Sequence, residues 1–110
     1  MRLFLAILHH EELLDEVLST LVELEAGDAV VVESRSGLEL LERDLPIFAG
    51  LRSLVPSGID FSSLVLSVIE DDALAEEALA AVCSLEDGSH REGGTVNTAM
   101  LVPVSAVGHF

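Results

Sequence analysis

The chain has 110 residues, half of them hydrophobic, with 20 acidic side chains against 5 basic ones and a formal net charge of -15 at pH 7. That size suits one domain spanning residues 1–110, able to bury roughly two-thirds of the surface its unfolded chain exposes without disulfide support. All the basic residues are arginines, and so acidic a field repels nucleic-acid backbones and anionic lipid, which excludes both as expected partners.

The first stretch, Arg2 to Leu8, is apolar throughout after its arginine. A strand with one wet face alternates with period two, so an unbroken short apolar run predicts a central strand covered on both faces. After His9 and His10, a helix is expected to run to about Glu25. Leu13, Leu14, Val17, Leu18, Leu21 and Leu24 fall on its apolar stripe, and Glu12, Asp15, Glu16 and Glu23 fall opposite. The acids read as solvated helix surface, and Gly27 is the expected C-terminal cap. Ala29 to Val32 is a β-branched run that predicts a second buried strand.

From Ser34 to Asp60 the chain is punctuated by Gly37, Pro46, Gly50, Pro56 and Gly58. It also carries Leu38, Leu40, Leu41, Ile47, Phe48, Leu51, Leu54 and Val55, too apolar a set for a solvated loop. Helical turns are expected over Leu38 to Arg43 and Ile47 to Leu54. A third strand, Ser63 to Ile69, is largely apolar on both faces. Asp71 or Asp72 then caps a helix from Ala73 to about Leu85, with Leu74, Ala75, Ala78, Leu79 and Val82 inward. The Gly- and Ser-rich loop Glu86 to Asn97 leads to a last strand, Thr98 to Val104, whose Pro103 places it at an edge or near its end.

The order strand, helix, strand, strand, helix, strand predicts an α+β fold of the ferredoxin-like βαββαβ type: a four-stranded antiparallel sheet with both helices on one face. Two helices cover only one side, yet the first and third strands are apolar on both. A homo-oligomer whose open sheet faces meet is therefore expected.

The pattern of Leu3 to Glu33, with His9 and His10 at the turn, an acidic amphipathic helix, Gly27 and Ala-Val-Val-Val-Glu, resembles the opening unit of the PII-like family, the nitrogen-regulatory signalling proteins. The ending, a Gly-rich loop running into Met100-Leu101-Val102-Pro103-Val104, resembles that family as well. The resemblance implies a homotrimer that senses adenine nucleotides between subunits and regulates a partner protein. It sets residues 34–60 in the position of the family's T-loop, as an insertion between the second and third strands and the expected partner-binding segment. Three departures stand out: the counterpart of the family's B-loop, Ser89 to Asn97, has no lysine, the tail Ser105 to Phe110 has no arginine, and the modifiable tyrosine of the family's T-loop has no match in a chain without tyrosine.

Topology brings the turn after the first strand, the 34–60 connection and the loop before the last strand to one end of the sheet. Arg35, Ser36 and Gly37 are expected to meet Arg91, Gly93, Gly94 and Thr95 of the same or a neighbouring subunit. Their guanidinium groups and backbone amides suit an anion such as a nucleotide phosphate. His9, His10 and His90 belong to the same end and are the alternative, a divalent-metal site of the kind associated with CutA-like proteins, with Glu11 or Glu92 as an oxygen ligand. A trimer that has lost its ligand and keeps only an interaction surface is a third reading. No catalytic triad order or phosphate-loop signature occurs, so enzymatic activity is not expected. Cys83, the single cysteine, is read as a small core or boundary residue of a reducing compartment. The N-terminal apolar run is too short for a secretory signal, and no stretch is long enough to span a membrane, which makes the cytoplasm the expected location.

Overall fold

The computed structural model describes residues 1–35, 37, 62–85 and 96–110. Its elements run β1 (Arg2–Leu8), α1 (Glu11–Glu23), β2 (Ala29–Glu33), β3 (Ser63–Ile69), α2 (Asp72–Cys83) and β4 (Thr98–Pro103). The strands form one antiparallel sheet in the order β2-β3-β1-β4, so the chain is α+β with β1 inside the sheet, as its unbroken apolar run predicts. The expected helical turns at Leu38 to Arg43 and Ile47 to Leu54 lie outside the described residues. No helix among the described residues is long and apolar enough to cross a membrane.

The helix ends follow local chemistry. Asp71 caps α2, accepting a hydrogen bond at 2.9 Å from the Ala73 backbone N–H. His10 occupies the corresponding place before α1 without a side-chain cap, and Glu11 and Glu12 set negative charge against the helix's positive end. The C-terminus of α1 departs from expectation. Leu24 is the C-cap, and Glu25 beyond it takes the left-handed conformation, with φ 54°. The Glu25 N–H donates to the Val22 carbonyl at 3.1 Å and the Ala26 N–H to the Leu21 carbonyl at 3.0 Å, the paired bonds of a Schellman ending. Gly27 serves a different purpose. With φ 97°, it brings the backbone so close to β3 that a Cβ there would stand 2.9 Å from the Val68 carbonyl oxygen.

Register sorts the strands into two unlike faces. Phe4, Ala6 and Leu8 of β1 and Val65 and Ile69 of β3 are buried against Val17 and Leu21 of α1 and Ala75, Ala78 and Val82 of α2. Small side chains on α2 let that helix approach closely. The two buried polar residues of this face, Ser63 and Ser67, send their hydroxyls to the Val32 and Ala26 carbonyls at 3.4 and 3.2 Å. The opposite face carries Leu3, Leu5 and Ile7 of β1, Leu64, Leu66 and Val68 of β3, Val30 and Val32 of β2, and Thr98, Met100 and Val102 of β4. Among the described residues no charged side chain belongs to these strand positions, and Val30, Val32, Val68, Met100 and Val102 are exposed there.

β2 is not the buried strand that its valines predict. Among the described strands it stands at the sheet edge beside β3, and Val30, Val31 and Val32 are 58 %, 41 % and 41 % exposed. β-branched residues specify extended backbone; they do not specify a place in the sheet. β4 forms the other edge and ends at Pro103, as expected.

Candidate functional site

The antiparallel register sends the C-terminal end of β1, the C-terminal end of β2 and the N-terminal ends of β3 and β4 to the same end of the sheet. Leu8 stands opposite Ser63, which stands opposite Glu33. His9, His10, Ser34, Arg35, Ser62 and Asn97 therefore gather at this end. Of the residues expected to form a ligand site, Arg35 and Gly37 are described and both are exposed. Ser36, Arg91, Gly93, Gly94 and Thr95 lie outside the described residues, as does His90.

Two polar ties fix this end. At the β2 side, the Ser34 N–H donates to the Ser62 carbonyl at 3.0 Å, and the two serine hydroxyls are 2.7 Å apart. That clamp sets the direction in which Arg35 leaves the sheet. At the β4 side, the His9 backbone N–H donates to Asn97 Oδ1 at 2.8 Å. The same amide lies against the His10 ring, with Asn97 Nδ2 3.2 Å and Oδ1 3.4 Å from His10 Nδ1. A donor already aimed at Oδ1 fixes which way the amide points. Nδ2 then donates to His10 Nδ1 when the proton of the neutral ring sits on Nε2. His9 Nδ1 is buried without a hydrogen-bond partner. Burial, and secondly the neighbouring His10, pull the His9 ring below the usual histidine range.

These ties stand at opposite edges of the sheet. With strands about 4.8 Å apart, the end of β2 and the start of β4 are separated by three spacings, roughly 14 Å. Arg35, just past the end of β2, and Asn97, just before β4, therefore lie on opposite sides of this end of the sheet. The N-terminus of α1 is no substitute anion site, because Glu11 and Glu12 already occupy its first turn. Among the described residues, no group of three or more His, Cys, Asp or Glu side chains is placed to hold a metal ion. His9 and His10 are half-buried, adjacent along the chain and engaged with Asn97, an arrangement unlike a shared ligand pair.

Asn97 is the residue of this end to which sequence reasoning assigned no role. Its signal was positional: an amide directly before the last strand comes to lie beside the end of β1 once the two strands pair. Cys83, expected in the core or at its boundary, is exposed at the end of α2. No protein-family model matches the chain, and no curated protein matches it.

Proposed function

We propose that this chain is a regulatory binding module of PII-like type, a homotrimer of ferredoxin-like subunits that takes a small anionic metabolite or adenine nucleotide in the clefts between subunits. The observation that carries the reading is the open sheet face. Leu3, Leu5, Ile7, Leu64 and Leu66, flanked by the edge valines and Met100, make a surface that is apolar and uncharged among the described residues. A chain of net charge -15 repels its own copies wherever its helices meet, so the uncharged face is where copies associate at least electrostatic cost. The strand order β2-β3-β1-β4 is that of a ferredoxin-like sheet, which supports the subunit reading.

The spacing of the sheet edges is compatible with a ligand site shared between copies. Arg35 leaves the β2 edge, and the Gly- and Arg-containing loop of residues 86–95 joins the β4 edge. Copies joined through their sheets bring the β2 edge of one chain toward the β4 edge of the next, which assembles a guanidinium and a glycine-rich loop around one anion. Binding would then be read out through residues 34–60, the segment that meets the partner protein. The function is binding and regulation, with no catalytic step.

Light scattering on the protein at micromolar concentration tests the assembly, with three times the chain mass expected; a monomer overturns the reading. Thermal unfolding with ATP, ADP, AMP and cyclic AMP tests the ligand. A nucleotide-dependent rise in midpoint that Arg35→Ala abolishes is expected, and a rise that survives this substitution removes Arg35 from the site.

A further inference from the structure

The net charge of -15 is unevenly spread over the subunit. Every acid among the described residues is exposed, and apart from Glu33 at the end of β2 none of them stands on a strand. Asp15, Glu16 and Glu23 of α1 and Asp72, Glu76 and Glu77 of α2 put negative charge on the helix layer. Ion pairs among the described residues fall on one acid, Asp72, which the Met1 ammonium meets at 2.8 Å and Arg2 at 3.5 Å. The other described acids face solvent, and their neutralisation is left to counterions. The strand positions without charge lie on the opposite face, where copies are proposed to meet.

Copies that meet through their sheets therefore attract by apolar contact at short range and repel by charge at longer range. Facing sheets pack about 10 Å apart and each helix layer lies a similar distance outside, which sets the acidic layers of two copies roughly 30 Å apart. The screening length is about 30 Å at 10 mM salt, about 8 Å at 0.15 M and about 3 Å at 1 M. Dilute salt leaves the acidic layers within each other's field, and concentrated salt hides them. The apolar contact is not weakened by screening. We propose that ionic strength governs assembly of this chain: salt drives copies together through the uncharged sheet face, and dilution of salt releases them. The inference rests on the association through that face proposed above. An anion site shared between copies forms only once they have assembled, so it depends on salt in the same sense.

Sedimentation across a range of protein concentrations, in 10 mM and in 500 mM NaCl, reads the concentration at which half the chains are assembled. That concentration is expected to fall at least about tenfold in the higher salt. A variant combining Glu16→Gln, Glu23→Gln, Glu76→Gln and Glu77→Gln leaves the sheet face untouched and removes four charges from the net -15. Repulsion between like copies scales with the square of their charge, so the salt dependence of this variant, on a logarithmic scale, is expected to be roughly half that of the wild type. Assembly that persists at nanomolar concentration in 10 mM NaCl, or that salt leaves unchanged, overturns the inference while the assembly itself stands. Equal salt dependence in the two proteins overturns it as well, because the effect then belongs to the apolar contact. A monomer at micromolar concentration in 500 mM NaCl removes both the inference and the assembly on which it rests.

Discussion

Leu5 lies at the middle of the open sheet face, in the cross-strand row Val30, Leu66, Leu5, Met100. Four strands about 4.8 Å apart, each contributing about six residues of about 3.3 Å, make a footprint of roughly 400 Å². At about 25 cal/mol per Å², covering that footprint is worth roughly 10 kcal/mol per copy before the entropy of association is subtracted. Leu5→Glu forfeits about 2 kcal/mol of that burial and asks an unpaired carboxylate to enter an apolar contact, a further cost of about 2 kcal/mol or more. Together these weaken each contact by roughly a thousandfold, enough to leave monomers at micromolar concentration. In the isolated subunit the same change sits on a partly exposed face, on the side away from both helices, and costs only about 1 kcal/mol or less. Phe4→Ala, one residue away, is the control: Phe4 is fully buried against the helices, and its truncation destabilises the subunit itself by about 3–5 kcal/mol. Light scattering and urea unfolding on both variants separate the effects. If Leu5→Glu keeps the wild-type mass, the open face does not hold copies together, and the assembly argument fails.

Three further predictions concern the subunit. Glu25 holds a left-handed conformation that costs a side-chain-bearing residue about 1 kcal/mol, so Glu25→Gly is expected to raise stability by up to that amount, whereas Gly27→Ala lowers it by more than 1 kcal/mol because its Cβ meets the Val68 carbonyl; urea midpoints read both. Asn97→Ala strips the partner from the His9 N–H and is expected to cost about 1–2 kcal/mol, with faster amide exchange at His9 as the local signature. The depressed pKa of His9 means that the unfolded chain binds its proton more readily than the folded one: stability from this group is complete above its ordinary value of 6.5 and is lost as pH falls through the lower folded value. Comparing His9→Gln with the wild type between pH 7.5 and 5 isolates this contribution from the titrating carboxylates. A variant that loses stability in parallel with the wild type refutes it.

Much of the core was legible because helix period and buried face coincide. Leu13, Val17 and Leu21, and Ala75, Ala78 and Val82, recur at the spacing that puts them on one side, and those are the residues the sheet covers. The ends were less legible. Gly27 looked like a helix cap because glycine is the usual left-handed residue; Glu25 takes that conformation instead, since the two paired backbone bonds of the helix ending outweigh its modest strain. The end of the sheet proposed to bind a ligand was legible only as a neighbourhood. The sequence names Arg35, His9 and His10, but which of them share an edge depends on strand order.

For the described residues, the sequence by itself determined the elements and their polarity: which stretches are extended or helical, and which helix faces are wet. Those are local properties, set by backbone propensity and by the period of apolar residues. Only the tertiary structure decided that the three valines of β2 are exposed at the edge of the described sheet, that Arg35 and Asn97 lie at opposite sides of one sheet end, and that Cys83 is exposed at the end of α2. Each of those depends on which strand pairs with which and on how closely side chains fill the space between layers, and no residue carries that information alone.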